Sequence, residues 1–441
     1  MKYYFKLISS FLFKIIHLFI FFSLLAFIGC SSLKVAESEI GLGWSNNSVN
    51  TVIFRNSAVD TYNNYQFTAY YDEEGRMILA KRKLTENKWD VKITPYKGNV
   101  KDAHNSISLI IDVNGYVHIS WDQHNTRLRY VKSISPLSLE LSDELSMTGL
   151  QEEKVTYPEF HKLKNGKLLF CYRSGESGRG NMVINQYDPD TNQWSQLQDN
   201  LLDGEELRSA YWQIAVDGRG SVHLSWVWRE TWDVSTNHDL CYAVSHDGGK
   251  SWEKSTGEKY GIPIRSVTAE IAWKVPENSN LINQTSMAVD DNNNPYIATY
   301  WDADGITQYK IIYLQEKKWQ IIDSDFQKKA FQLGGGGTKS IPISRPQILI
   351  GNNIIYLLFR SAERENRISL AYKKKGKGKW NLVNVSEDYV GQWEPNFDKS
   401  LWKEKKQLHI FSQNVTQSDG EGLADMPAQK VKLLEINNIP K

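Results

Sequence analysis

The chain has 441 residues, 41% hydrophobic and 12% aromatic, with 15 Trp and 22 Tyr against 12 Pro and 3 Cys. That length and aromatic content suit one large β architecture with a sizeable core, and they exclude a disordered chain or a disulfide scaffold. A formal net charge of +1 gives no global pull toward nucleic acid or membrane surfaces, so an anionic partner must be held by a local patch.

At the N-terminus, Lys2, Lys6 and Lys14 accompany the apolar run IIHLFIFFSLLAFIG, which is too short and too early for a membrane span and predicts an export signal over residues 1–30. The run ends in FIGCSS, where Gly29-Cys30 matches the cleavage and lipidation point of a bacterial lipoprotein, with Phe27 in place of the usual Leu. The expected location is therefore exported and lipid-anchored at the outer membrane or surface of a Gram-negative-type cell, with the membrane touched by that anchor only. Residues 31–40 read as a short linker and 41–441 as one folded domain. Two thiols remain in that domain, and Cys171, inside LLFCYR, reads as an ordinary buried one.

From there short alternating runs bounded by Asn, Asp and Gly recur to the C-terminus, an all-β pattern. The repeated unit is a strand, a turn carrying Asn, Asp or Gly, a strand ending in an aromatic, and an outer hairpin often closed by Trp. Units start near Tyr65, Asn105, Tyr157, Tyr211, Thr285, Arg345 and Trp393. They predict a monomeric seven-bladed β-propeller closed by N- and C-terminal strands, with residues 41–55 joining the last blade beside KQLHIFSQN; a two-domain β-sandwich is the other architecture such a pattern allows. SHDGGKSW, residues 245–252, matches the Asp-box of propellers such as sialidases, with Asp247 bonding turn amides and Trp252 packing between blades. KKKGKGK at 373–379 reads as a solvated hairpin turn and GGGG at 334–337 as a flexible inter-blade loop.

Turn positions fix which residues face one another across a hairpin. About Asn114-Gly115, His104 and His124 fall within a residue of direct opposition, whereas His118 lies mid-strand and reads as structural. About Asn165-Gly166, Tyr157 and Arg173 hold the same places one blade later, and Tyr211 starts the first strand of the next blade. Arg345 and Arg360 are likewise opposed about Asn352-Asn353, which predicts added positive charge for substrate binding at the same mouth. Starts of first strands and ends of second strands share one face of a propeller, so these groups should converge on one cleft.

The set offers no Ser/His/Asp order, no clearly paired carboxylates and no nucleotide loop. It does offer the parts for β-elimination on a uronic acid: cations to neutralise the carboxylate, a His base and a Tyr acid. DAHNSISLIIDVNGYVHISWDQH, VTYPEF, LLFCYRSG and VHLSWVWRE with NHDLCYAVSHDGGKSW resemble the Asp-box propeller polysaccharide lyases, above all the ulvan lyases. The resemblance implies cleavage of a sulfated rhamnose and uronic acid polymer by β-elimination, without a catalytic cofactor. It implies that His104 and His124 serve as base and charge partner, Tyr157 as acid or acid-base, Arg173 as carboxylate binder and Tyr211 as support. It also implies a structural metal, for which His223, His238, Cys241 and His246 form a candidate zinc site. A sialidase-like hydrolase and a non-catalytic glycan-binding propeller are the competing expectations.

Overall fold

The computed structural model describes residues 33–440, so the expected export signal and Cys30 lie outside the described residues. Asx turns fold the inner hairpins, because an Asp oxygen two to four residues upstream caps the turn amides. Asp112 accepts from Asn114 and Tyr116 at 2.9 Å each, and Asp217 from Gly220 at 2.7 Å and Ser221 at 2.8 Å. The other oxygen of each takes a histidine. His118 lies 3.1 Å from Asp112 and 2.7 Å from the Tyr130 hydroxyl, and His223 lies 3.3 Å from Asp217 and 2.7 Å from the Tyr242 hydroxyl. His118 is structural as expected, and His223 is its counterpart two blades on.

Seven antiparallel sheets form the blades of a β-propeller. Inner strands run over Val59–Tyr62, Ile107–Ile111, Val155–Lys162, Ser209–Val216, Ser286–Val289 and Gln347–Gly351, and in the seventh blade the short segment 396–398 takes the inner place, pairing with Leu408–Gln413 through Phe397 and Ile410. The first blade therefore begins at Val59, one strand before the expected Tyr65. Closure uses both termini, with a correction: Ala36–Gly43 pairs with Gln429–Ile436, which in turn pairs with Leu408–Gln413. The closing strand thus starts inside the expected linker and lies one strand further out than predicted. Residues 48–55 instead run inward, where the buried Arg55 donates to the carbonyls of Ile107, Asn50 and Ala69. The second blade has three regular strands, its outer edge pairing only by a bridge from Ser133 to Leu141, and His124–Thr126 pairs across to Val155–Lys162 of the third.

The Asp-box behaves as expected. Asp247 accepts from the Lys250 and Ser251 amides at 3.0 and 2.9 Å, and Trp252 is buried among side chains of the third and fourth blades. Cys171 and Cys241 are buried free thiols. First and last blades are locked by a buried ion pair, Arg82 to Glu435 at 2.6 Å, with Arg82 also donating to Gln66 at 2.8 Å. Arg82→Met leaves Glu435 buried without its partner, and should lower unfolding free energy by about 3 kcal/mol, measured as an earlier urea midpoint.

Candidate active site

One face of the ring opens on a cleft of 360 Å³, and His104, His124, Tyr157, Arg173, Tyr211 and Arg345 all line it. The hairpin register Ile107↔Trp121, extended past the strand ends, sets His104 opposite His124. Their rings stack with centroids 4.0 Å apart and 18° between planes, and Phe54 covers the other face of His104 at 5.3 Å. Tyr157 sits on a β-bulge: pairing steps from Thr156↔Arg173 to Glu159↔Cys171, and Tyr157 takes a φ of 58°. A left-handed tyrosine costs of order 1–3 kcal/mol, and the bulge re-aims its ring into the cleft. Arg173 accordingly faces Thr156, one residue from the expected Tyr157.

Asp102, which the sequence reading omitted, bridges the two histidines. Its oxygens lie 2.9 Å from His104 Nδ1 and 2.6 Å from His124 Nδ1. Glu421 approaches His104 Nδ1 at 3.0 Å and also accepts from the amides of Ala103 and Thr338, at 2.9 and 2.6 Å. Burial works against a charged His104, but Asp102 and Glu421 outweigh it and raise the imidazole to about 9. His124 moves the other way: burial and the charge on His104 hold it below its ordinary value despite Asp102. Near neutral pH His104 is therefore a cation and His124 is neutral. With the His124 Nδ1 proton donated to Asp102, Nε2 is left as its basic nitrogen.

Arg173 and Arg229 bring buried positive charge without a carboxylate partner among the described residues. Arg173 reaches the hydroxyls of Tyr211 at 3.4 Å and Thr156 at 3.3 Å, and its Nε has no partner. Arg229 reaches the Tyr211 hydroxyl at 3.4 Å and Asn237 at 2.8 Å, with its guanidinium 4.4 Å over the Tyr211 ring. Burial raises Tyr211, yet the two guanidiniums more than reverse this and bring it down to about 8. For Tyr157 burial and the neighbouring Tyr211 prevail, and its phenol is held protonated well above the usual range.

Arg345 is neutralised in place by Glu394, with Nε 2.7 Å from Oε1. Arg360 does not reach the cleft. It is fully buried and donates to the carbonyls of Ile341 at 3.0 Å and Trp393 at 3.1 Å, because the chain before Arg345 and the chain at Trp393 fold over it. The predicted zinc set also fails to assemble. His238 and Cys241 lie on one strand, Asn237–Ser245, and His246 follows it, so at ~3.3 Å per residue the two histidines are about 26 Å apart along the chain. His238 bonds Glu230 at 2.8 Å, His246 bonds Ser221 at 3.0 Å, Cys241 is in the core, and His223 is held by Asp217. Among the described residues, Asp102, His104 and His124 are the one such group compact enough for a metal, and their facing atoms are committed to the hydrogen bonds above.

Several cleft residues escaped the sequence reading. Arg229 ends the second strand of the fourth blade, much as Arg173 stands one residue before the end of that of the third, a signal present in VHLSWVWRE. Trp232, 64% exposed, stands at the rim over Gly336, and residues 336–339 line the cleft, so GGGG is a wall and not only a linker.

A model of the BNR repeat-containing family matches residues 65–326, well over half of the chain. Curated relatives include the long isoform of ulvan lyase from Pseudoalteromonas sp. (strain PLSV), 25% identical over 56% of this chain and 30% of its own. The short isoform from Alteromonas sp. (strain LOR) is 24% identical over 47% of this chain and 51% of its own. The matches thus span about half or less of these relatives. Among solved structures, polysaccharide lyase Uly1 superposes with a TM-score of 0.68 at 16% identity, covering 86% of this chain and 89% of that one. A PL25 ulvan lyase bound to -[GlcA(1-4)Rha3S]- gives 0.69 at 15% identity, covering 90% and 95%. At such identities the likeness shows the propeller fold.

The two guanidiniums on Tyr211 have a direct optical consequence. One tyrosine should ionise near pH 8 in an ultraviolet difference titration, and that step should vanish in Tyr211→Phe and move to higher pH in Arg229→Met.

Proposed function

From the premise that the chain belongs to the BNR repeat-containing family, we propose that it is a polysaccharide lyase that cleaves ulvan, a sulfated uronic acid-containing polymer, by β-elimination. The carrying observation is the pair of buried guanidiniums, Arg173 and Arg229, with no carboxylate partner among the described residues, beside a charged and a neutral histidine. Such a site lacks one anion, and a uronate carboxylate supplies it.

In this scheme Arg173, Arg229 and His104 neutralise the uronate carboxylate, which acidifies the proton on the adjacent carbon. His124 Nε2 removes that proton. The electron pair forms the new C=C bond as the glycosidic C–O bond breaks, and the Tyr157 hydroxyl gives its proton to the leaving oxygen. Tyr211 holds the two guanidiniums in register. Trp232 offers a sugar-stacking face at the rim. Lipidation at Cys30 would keep the enzyme at the cell surface, where a large polymer is accessible.

A sialidase-type hydrolase requires a carboxylate beside its nucleophilic tyrosine. The Tyr211 hydroxyl instead meets Arg173, Arg229 and Ser177, the last at 3.2 Å. A glycan-binding propeller needs no charged and neutral histidine pair, so the same assay separates it from the lyase.

Incubation with ulvan should raise the ultraviolet absorbance of the unsaturated uronyl product. His124→Ala and Tyr157→Phe should each lower kcat by about 10²–10⁴-fold with folding intact; no absorbance rise with folded wild type on ulvan or other uronate polymers contradicts the proposal. Activity should also fall as pH rises through about 9, where His104 loses its proton. Glu421→Gln should bring that limb down by about one unit, read from the pH profile of kcat/KM.

A further inference from the structure

A second opening lies on the propeller axis at the opposite face, between the far ends of the inner strands and helix α1 (Lys399–Lys405). It encloses 510 Å³ against 360 Å³ for the cleft, within the range of small-molecule sites. One wall is aliphatic, built from Ile110, Ile214, Met287, Ile348 and Ile350. The facing wall carries Lys399, Lys403 and Lys406.

The acids around this opening are largely committed elsewhere. Asp60 pairs with Lys162 at 2.7 Å and accepts from Ser400 at 2.6 Å, Asp217 holds His223, and Asp290 pairs with Lys375; Asp291 stands exposed at the rim. The three lysines have no carboxylate within ion-pair distance among the described residues. Lys399 keeps its stem open to solvent while its ammonium donates to Asn56 in the narrow neck that separates the two openings, a neck also lined by Tyr157 and Glu159. Burial pulls that ammonium down to about 8. Lys406 Nζ meets only the Lys403 carbonyl, at 3.5 Å, and the Trp402 ring. Burial also lowers Lys403; Asp217 opposes this, and the charges of Lys164, Lys406 and Lys162 add to it.

We infer that this opposite mouth is a second ligand site, for a small amphipathic organic anion whose head group binds Lys399 with Lys403 and Lys406 and whose apolar body lies on the isoleucine wall. Ammonium groups without a carboxylate gain a charge-assisted partner, and the ligand's own apolar body leaves water to pack on the aliphatic wall. The site meets the lyase cleft only at the neck beside Tyr157, and binding there does not require turnover, so it is tested in a protein carrying His124→Ala as well as in the wild type.

Calorimetric titration with octanoate should show one saturable site in both proteins. Affinity should fall at least tenfold in Lys399→Met and in the double variant Lys403→Met/Lys406→Met, whose side chains are peripheral to the core. Octanamide, with the same chain and no charge, should bind at least tenfold more weakly than octanoate. Absence of saturable octanoate binding, equal binding of octanamide, or binding unchanged in the lysine variants would overturn the assignment.

Discussion

Two imidazoles stacked 4.0 Å apart on one carboxylate cannot both be protonated at little cost, and the cleft is organised around that constraint. Asp102 gives one oxygen to each ring, which alone would leave the pair nearly symmetric. Glu421 breaks the symmetry by reaching only His104. Its segment lies between the last two strands of the chain, so the ring closure that joins both termini also fixes which histidine is charged. Phe54 on the outer face of His104 keeps water from that side and holds the stack together.

The tyrosines are parted by the same logic. Tyr157 and Tyr211 meet edge to face at 5.9 Å, but of the two phenol hydroxyls both arginines hydrogen-bond that of Tyr211, while Arg173 meets Tyr157 only over its ring, at 5.1 Å. One phenol is drawn toward ionisation and the other is held protonated. Splitting two like pairs gives the cleft a neutral base, a protonated acid and surplus positive charge at the same pH, which is the combination that acid–base elimination requires.

Much of this was legible because turn chemistry is local. Asn114-Gly115 and Asn165-Gly166 set hairpin registers that the structure reproduces to within a residue; those registers brought His104, His124, Tyr157 and Arg173 to one face, and the matching strand start added Tyr211. Asp102 and Glu421 were not legible. Asp102 lies in a turn outside the strand pattern, and Glu421 meets Ala103 across 318 residues of sequence, a contact that depends on closing the ring. Arg360 failed for a related reason: register fixes a neighbour across the hairpin, but a loop from elsewhere decides whether a side chain meets solvent or carbonyls. The zinc expectation failed on strand geometry, and VHISW and VHLSW each follow an Asx turn that already assigned His223 the role of His118.

The division of the histidine pair is open to direct measurement. Nitrogen chemical shifts of the His104 and His124 rings, followed by NMR across pH and assigned with His124→Ala, report each protonation state separately. The account predicts that His104 stays protonated until about pH 9 while His124 is already neutral below its ordinary 6.5. It also predicts that Glu421→Gln draws the two titrations together. Both rings of the wild type titrating together near 6.5 would contradict it.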